Sequence, residues 1–470
     1  MSAAAPWWQC SAVGLAAAYR RGAVTPTQVL ADCLARIDAV NPRLNAFVAL
    51  RREAAMREAA RSTLRFADNA ALSPLDGIPL AVKDNIPGAD LPTTWGSPAG
   101  RDHAPAQDER VLARARAAGA IVVGKTNVPE FTLEGYTANP LFGVTRNPWN
   151  PALTPGGSSG GSVAAVAAGM VPLALGTDGG GSTRRPASHT GLVGFKPSIG
   201  AIAREHGLPP LLLDYEVIGP IARDVADLQL LFGVLHGPHP GDHASCAAAG
   251  AAALAKPFGA NLRVLYAATL QDAPVDPHIA SACLQATERL RAMGHQVTVG
   301  RLPVDVGLGT TDWPQVGQIG LAWLFERYPA WRNGASDKYL QMAQDGAQLP
   351  GHRLWQILAQ TTRLRSDMAQ LFTHYDLVVT PATAALPWAA DQAYPTVIDG
   401  QPVGPRGHGI FTAWVNAAGL PAIAMPCRPS PDGLPAGVQV ISGYGTDLAL
   451  LQWALAFEAT AAQGWQFPPI

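Results

Sequence analysis

Cysteine is scarce in this sequence and shows no ordered spacing. The 470 residues contain five cysteines, and none of them forms a CxxC pair. An odd number of widely scattered cysteines argues against a disulfide framework and against a cysteine-based metal site. We therefore expect reduced thiols in a cytoplasmic protein, and we predict no metal site.

The sequence also lacks an excess of charge and a long apolar run. Its 34 basic and 35 acidic residues leave a formal net charge of −1, so no overall field favours nucleic acid or an anionic membrane. No stretch approaches the roughly 18 uninterrupted apolar residues of a membrane span. Residues 1–9 lack a basic segment followed by an apolar run, so no signal peptide is expected. A small neutral substrate fits this composition better than a nucleic-acid or membrane partner.

What the sequence does contain is 48% hydrophobic residues in patterns that alternate between helix and strand. Residues 1–65 predict a helical segment, because apolar residues recur there with helical spacing after Thr25. From about residue 75, short apolar runs alternate with helical patterns, which indicates an α/β sheet. The predicted strands cover residues 78–82, 120–123, 171–175, 262–266, 296–299, 377–380, 422–425 and 437–441. The predicted helices include residues 108–118, 162–170, 279–293 and 448–459.

No internal repeat or linker divides the chain, which favours one large domain over residues 1–470. Residues 303–408 are less regular and rich in tryptophan, so we predict that this variable region shapes a substrate pocket. The alternative is that its tryptophans belong to the core. They are Trp313, Trp323, Trp331, Trp355 and Trp388.

Two clusters of glycine and serine flank one compact unit, at residues 155–162 and 176–182. A flexible linker is one interpretation, but the predicted helix and strand between the clusters would hold both in place. Neither cluster has the lysine of a phosphate-binding P-loop. The first cluster matches the G-x-S-x-G pattern of a nucleophile elbow with Ser159 as the nucleophile, although prolines interrupt the segment where an elbow requires a strand.

A nucleophile in the second cluster agrees better with its surroundings, because a predicted strand leads through glycines into Ser182. Unobstructed glycine amides can stabilise the oxyanion of acyl transfer. A serine nucleophile also needs a base. His189 is close in sequence but has no carboxylate motif beside it. Lys83 ends an apolar strand, where burial disfavours its charged form, and the alternative is a lysine that reaches solvent.

Several long motifs, in the same order along nearly the whole chain, resemble the amidase signature family. This resemblance implies a single α/β domain with a central mixed, mostly parallel β-sheet covered by helices on both faces. Residues 75–200 would be its catalytic core. The motifs are Gly-Ile-Pro-Leu-Ala-Val-Lys-Asp-Asn at 77–85, Val-Gly-Lys-Thr-Asn at 123–127, Thr-Arg-Asn-Pro-Trp-Asn at 145–150, the two clusters, Gly-Phe-Lys-Pro at 194–197 and Ala-Gly-Leu-Pro-Ala at 418–422.

The resemblance also implies the roles of individual residues. Ser182 would be the nucleophile, Ser158 a bridging serine with a cis peptide, and Lys83 the base, with no metal or organic cofactor. The oxyanion hole would be formed by the amides of Gly179, Gly180 and Gly181. Supporting hydrogen bonds are expected from Ser159, Asp178 and Arg184.

Departures from the family pattern bear on the substrate. Leu133 and Tyr136 stand where relatives often carry other residues, and we expect both to line the substrate site. Arg185 replaces a residue that is usually apolar in the family, which indicates either a tuned pocket or neutral drift.

The function implied is hydrolysis of small, largely apolar amides, carbamates or esters through an acyl-enzyme. A homodimer is one expectation, since homodimers are common in the family. The alternative is the glutaminase subunit of a tRNA-dependent amidotransferase. Such proteins anchor the glutamine amino group with an aspartate, and Gly409 occupies the matching position here.

Overall fold

The computed structural model describes residues 6–310, 312–461 and 465–470. An eleven-stranded sheet forms the centre of the molecule, and two short ribbons lie outside it. The strands are β1 (Phe47–Leu50), β2 (Pro79–Lys83), β3 (Ile121–Thr126), β4 (Ala138–Asn139), β5 (Gly143–Val144), β6 (Leu173–Asp178), β7 (Val193–Lys196), β8 (Val217–Ala222), β9 (Arg263–Tyr266), β10 (Gln296–Val299), β11 (Leu377–Pro381), β12 (Val397–Ile398), β13 (Gln401–Pro402), β14 (Ala422–Pro426) and β15 (Gly437–Ile441).

The helices of the described residues follow the chain between these strands. None of them has both the length and the apolar character needed to cross a bilayer. They are α1 (Ala12–Arg20), α2 (Pro26–Leu44), α3 (Arg52–Ala67), α4 (Arg110–Ala117), α5 (Gly160–Ala167), α6 (Arg184–Thr190), α7 (Val225–Leu235), α8 (His243–Leu254), α9 (Pro277–Ala292), α10 (Trp313–Arg327), α11 (Asp337–Gln348), α12 (Gly351–His374), α13 (Ala413–Ala417) and α14 (Asp447–Glu458).

The predicted N-terminal helix is confirmed, with one correction to its surroundings. Thr25 and Gln28 form a capping box, and Pro26 occupies the first turn, where a missing N–H has no consequence. However, residues 1–65 are not helical throughout. Strand β1 follows Asn45 and pairs with β3 at the edge of the sheet. At four residues, β1 is too short to produce a clear alternation in the sequence.

The sheet is mixed, as predicted, and its strand order is β1-β3-β2-β6-β8-β7-β14-β15-β11-β9-β10. Four of its ladders are parallel, namely β2 with β3, β2 with β6, β9 with β10 and β9 with β11. The other six are antiparallel. Parallel pairing is therefore less extensive than expected. It occurs in two blocks on either side of a central antiparallel region.

Helices cover both faces of the sheet, which agrees with the alternation of side chains along each strand. In β2, Leu80 and Val82 face a core that includes α4 and α7, whereas Ala81 faces a second core with α2, α3 and α5. In β6, Leu173 and Leu175 likewise face the first core. Because both faces are buried, the strands read as continuous apolar runs.

Two central strands were not predicted. β8 lies between β6 and β7 although it contains Pro220, which is opposite Leu175. Proline lacks the backbone N–H that a ladder uses, so its presence argues against a central strand. β7 is only four residues long and includes Gly194. Pro220 in β8 and Gly194 in β7 interrupt the apolar pattern by which the other strands were predicted.

The variable region 303–408 is more regular than predicted, because α10, α11 and α12 account for much of it. Its tryptophans do not share one role. Trp313, Trp331 and Trp388 are buried, whereas Trp323 is 41% exposed and Trp355 75% exposed. The sequence left a pocket and a core as alternatives for these tryptophans, and the exposed two do not belong to the core.

Candidate active site

Two parallel strands bring the predicted base to the glycine-rich loop. β2 and β6 are neighbours, with Val82 opposite Leu175. Lys83 is the last residue of β2, and Asp178 is the last residue of β6. Parallel neighbours end at the same edge of a sheet. Lys83 therefore lies beside the loop that contains Ser182.

The Lys83 side chain is fully buried and has three polar contacts. Its Nζ lies 2.9 Å from Ser158 Oγ, 2.8 Å from Thr177 Oγ1 and 3.2 Å from the Thr177 carbonyl oxygen. An ammonium group would donate to all three atoms. A neutral amine would donate to the two Thr177 oxygens and accept the Ser158 proton with its lone pair. The contacts therefore accommodate either protonation state of Lys83.

The surroundings of Lys83 favour the neutral amine near neutral pH. Burial is the largest influence and lowers the pKa of Lys83 to about 7, although the negative charges of Glu216 and Asp178 partly oppose it. An ordinary lysine has a pKa of about 10.4. A large fraction of Lys83 can therefore accept a proton at pH 7.

The first cluster presents Ser158 to Lys83 from the turn that precedes α5. The Gly157–Ser158 peptide bond is cis. The Ser159 N–H donates to the Ser182 carbonyl oxygen at 3.1 Å, which joins the two clusters directly. Ser159 Oγ is buried and donates to the Thr177 carbonyl oxygen at 3.2 Å. Ser159 thus joins the two clusters, and Ser158 has the contact with the lysine.

Gly157 is required by close packing of the two chain segments. A Cβ placed on Gly157 would overlap the Tyr136 carbonyl oxygen. Any other residue would force the segments apart, and Ser158 would move with them. Tyr136, which was predicted to line the substrate site, therefore lies next to the first cluster through its backbone.

The second cluster turns sharply after β6, and Asp178 holds the turn. Asp178 Oδ1 accepts from the Gly181 N–H at 2.7 Å, and Oδ2 accepts from the Thr183 N–H at 3.1 Å. Gly181 has a φ of +109°, which favours glycine. The amide of Gly181 is thus already occupied. The glycine amides that remain to be considered for an oxyanion are those of Gly179 and Gly180.

Arg184 and Asp178 form a fully buried ion pair under the loop. Arg184 Nη2 lies 2.8 Å from Asp178 Oδ1, and Nε donates to Oδ2 at 3.0 Å. Burial alone would raise the pKa of Asp178, but the charge and hydrogen bonds of Arg184 outweigh it and hold that pKa well below its usual range. Asn416 donates to Asp178 Oδ1 at 3.0 Å and completes the network. The pair lies beneath the loop that contains Ser182, and its role in the site stays a prediction.

Replacing Arg184 with methionine is expected to lower the free energy of unfolding by about 3–5 kcal/mol, because it leaves the buried Asp178 carboxylate without its partner. Chemical denaturation measures the change. Arg301→Met is the matched control, since Arg301 Nη2 also lies 2.8 Å from an aspartate, Asp272, but both side chains are exposed. The control should be close to neutral. Equal effects of the two substitutions would contradict the importance of the buried pair.

The other predicted substrate-lining residue, Leu133, is half-buried near α10, where its side chain lies 3.7 Å from a Cβ placed on Gly317. α10 also brings Trp313 to the loop that contains Ser182. A Cβ on Gly180 would lie 3.0 Å from Trp313 Cζ2, and the Trp313 ring stacks on Tyr215 at 5.4 Å. Trp313 is thus the tryptophan of the variable region that borders the loop.

Sequence reasoning missed several residues that build the site. Thr177 contacts Lys83, and Asn85 donates to Thr177 Oγ1 at 3.0 Å. Asn85 lies inside the motif at 77–85 and Thr177 inside the second cluster, so the sequence offered a signal for both residues. Thr412 and Asn416 come from much later in the chain, and Thr412 Oγ1 donates to the Gly180 carbonyl oxygen at 2.8 Å. No local pattern connects them with the loop.

The chain is similar to known proteins along most of its length. The Amidase family model matches residues 28–451. The chain is 33% identical to an acylamidase of Rhodococcus erythropolis, over 96% of this chain and 95% of that protein. It is also 33% identical to one of the subunits of the glutamyl-tRNA(Gln) amidotransferase of Symbiobacterium thermophilum, over 95% and 96% of the two chains.

The fold has close counterparts among solved structures. A bacterial aryl acylamidase described as a member of the amidase signature enzymes superposes with a TM-score of 0.87 at 26% identity, covering 98% of each chain. The similarity extends over the whole sheet and both helical layers.

Proposed function

Because the chain belongs to the amidase signature family of amide hydrolases, we propose that it cleaves C–N bonds through an acyl-enzyme on Ser182, with a proton relay through Ser158 to Lys83. One observation carries the proposal: a fully buried Lys83 has its Nζ 2.9 Å from Ser158 Oγ. A lysine in this position can act as a base without a histidine.

The proposed reaction begins with proton transfer along the three side chains. Neutral Lys83 takes the proton of Ser158, Ser158 takes the proton of Ser182, and Ser182 Oγ attacks the substrate carbonyl carbon. The carbonyl π electrons move to oxygen and form a tetrahedral oxyanion. The amides of Gly179, Gly180 and Ser182 would stabilise this charge, since that of Gly181 donates to Asp178.

Collapse of the intermediate would break the C–N bond. The leaving nitrogen takes a proton from Ser158, which is reprotonated from Lys83, and Ser182 keeps the acyl group. Water then attacks the acyl-enzyme while the relay accepts its proton. The acid product leaves, and Ser182 regains its hydrogen. The steps balance with water as the only co-substrate.

The substrate proposed is a small amide with a largely apolar body, such as an aryl or acyl amide. Carbamates and esters contain the same acyl carbon and are further candidates. The apolar ring of Trp313 beside Gly180, and Leu133 against the same helix α10, support this choice. The names of two similar proteins, an acylamidase and an aryl acylamidase, point the same way.

Purified protein is expected to release p-nitroaniline from acyl p-nitroanilides, measured by absorbance. A panel that varies the acyl and the amine fragments would rank the substrates. Mass spectrometry of the protein mixed with a slow ester should find the acyl group on Ser182. A well-folded sample that turned over no anilide, carbamate or ester would contradict the proposal.

The glutaminase role agrees less well with the geometry at Gly409. A Cβ placed on Gly409 would overlap Arg185 Nη1, so the space for an anchoring carboxylate is occupied by a guanidinium group. A cation there would also repel the ammonium group of glutamine. We expect no ammonia release from glutamine in a coupled dehydrogenase assay. Ammonia release at a rate similar to anilide cleavage would favour the glutaminase role.

A further inference from the structure

A group of four basic side chains, called here the basic cluster, lies against the first glycine cluster. Arg185 and His189 belong to α6, which begins two residues after Ser182. Arg406 and His408 belong to the segment between β13 and α13. None of the four has a role in the proposed relay.

Arg185 contacts the backbone on both sides of the candidate site. Its Nη2 lies 3.5 Å from the Gly157 carbonyl oxygen, and its Nη1 would overlap a Cβ placed on Gly409. The side chain is buried, and Nε has no hydrogen-bond partner. Because Gly157 directly precedes Ser158, the guanidinium group is adjacent to the bridging serine.

No acidic side chain of the described residues forms an ion pair with Arg185 or Arg406. Glu134 is the carboxylate whose charge acts on both arginines, but it pairs with Lys338. Asp178 pairs with Arg184. Burial lowers the pKa of Arg185 to about 9, and the repulsion of Arg406 adds to that effect. The positive charges of this cluster are therefore poorly compensated by the protein.

The two histidines add unused hydrogen-bonding nitrogens. Both ring nitrogens of His408 are buried without a hydrogen-bond partner among the described residues, as is Nδ1 of His189. His189 Nε2 is 3.0 Å from the Ala385 carbonyl oxygen. Burial lowers the pKa of His189 to about 4 and that of His408 well below its usual value, so both are neutral at pH 7. A neutral imidazole has one N–H donor. In His189 that donor is Nε2–H, which donates to the Ala385 carbonyl oxygen and leaves Nδ1 as an acceptor, so His408 is the histidine of the cluster with an unused N–H.

The two histidine rings lie close to the first glycine cluster and contact the same tryptophan. A Cβ on Gly156 would be 2.8 Å from His189 Nδ1, and a Cβ on Gly135 would overlap His408 Nε2. Trp388 contacts both histidine rings, at 5.5 Å and 4.8 Å between centroids. The basic cluster thus brings the Arg185 guanidinium group and the unused N–H of His408 close to the residues that lead to Ser158.

We propose that the basic cluster binds a carboxylate of the substrate, so that the physiological substrate is an amide whose apolar body carries an acid group near the scissile bond. A buried guanidinium group without an acid is unfavourable, and a substrate carboxylate would supply the missing partner. The planar fork of Arg185 matches the two oxygens of a carboxylate. The inference rests on the proposed function and specifies its substrate class.

Binding to the Ser182→Ala protein tests the subsite without any need for turnover. The probes are succinanilic acid and its methyl ester, which differ only in the charge and size of the acid end, and calorimetry measures both affinities. We expect the acid to bind about tenfold or more tightly than the ester. Adding Arg185→Met should remove that preference. Equal affinities for acid and ester, or no binding of the acid, would overturn the proposal.

Arg428→Met is the matched control, because Arg428 is exposed and follows the end of β14 that is remote from Lys83. It should leave the preference for the acid intact. If Arg185→Met lost its folded circular dichroism spectrum, Arg406→Met would decide the matter, since Arg406 is only half-buried. A preference retained in Arg406→Met would then count against the subsite.

Turnover measurements distinguish the proposal of a carboxylate subsite from the proposal that the protein is a hydrolase. N-succinyl and N-butyryl p-nitroanilides have acyl chains of similar length, with and without a carboxylate. Turnover of the butyryl compound with no preference for the succinyl one would overturn the subsite and leave the hydrolase proposal intact. Selective binding of succinanilic acid without turnover of either anilide would support the subsite and contradict the nucleophilic role of Ser182.

Discussion

Replacing Ser182 with alanine is expected to lower the turnover number by roughly 10⁴- to 10⁶-fold, because the variant has no oxygen on which to form an acyl-enzyme. The fold should be retained, since the substitution removes a single hydroxyl oxygen. Initial rates with the best anilide of the panel measure the change, and mass spectrometry should find no acyl adduct.

The matched control for this experiment is Ser159→Ala, one residue after the bridging serine. Ser159 is fully buried, and its hydroxyl donates to the Thr177 carbonyl oxygen. Its loss should reduce the rate far less than the loss of Ser182. Retained activity in Ser182→Ala together with an inactive Ser159→Ala would instead favour the nucleophile-elbow interpretation. Ser158→Ala is expected to fall between the two, since the relay is interrupted while the nucleophile remains.

Replacing Lys83 with methionine is expected to lower the turnover number by roughly 10³- to 10⁵-fold, because it removes the base of the relay while nearly filling the same volume. Initial rates of the purified variant measure the loss. Lys125→Met is the matched control, since Lys125 is a fully buried lysine of the adjacent strand β3. Its Nζ donates to Thr93 Oγ1 at 3.0 Å and to the Ile86 carbonyl oxygen, away from Ser158. A comparable loss of turnover in Lys125→Met would indicate that the rate depends on any buried lysine and not on the proposed relay.

The pH dependence of the unaltered protein follows from the same group. In the proposed relay the neutral form of Lys83 is the active one, and burial lowers its pKa to about 7. Below that value, kcat/KM should fall about tenfold for each unit of pH, and above it the profile should be flat. A profile still rising steeply at pH 9 would indicate an ordinary lysine. In Lys83→Met, the residual activity should lose this inflection.

Much of the candidate site could be anticipated from local sequence because its parts are local. The apolar run that ends at Lys83 and the two glycine-rich clusters are continuous segments whose composition reflects the backbone they form. The start of α2 after Thr25 and its buried face were visible for the same reason. In such segments the backbone conformation depends on residues only a few positions apart. The spacing of residues in the sequence therefore reflects that conformation.

Only the tertiary structure determined which distant residues contact those segments. β8 is a central strand despite Pro220 because long-range pairing with β6 and burial outweigh the missing N–H. Thr412 and Asn416 reach the loop that contains Ser182 from more than 200 residues away. Arg185 was visible as an unusual residue, but its lack of an acidic partner depended on where Glu134, Lys338 and Gly409 came to lie. The sequence by itself determined the chemistry of the loops, whereas only folding determined their neighbours, because contacts between distant residues depend on the packing of the whole sheet.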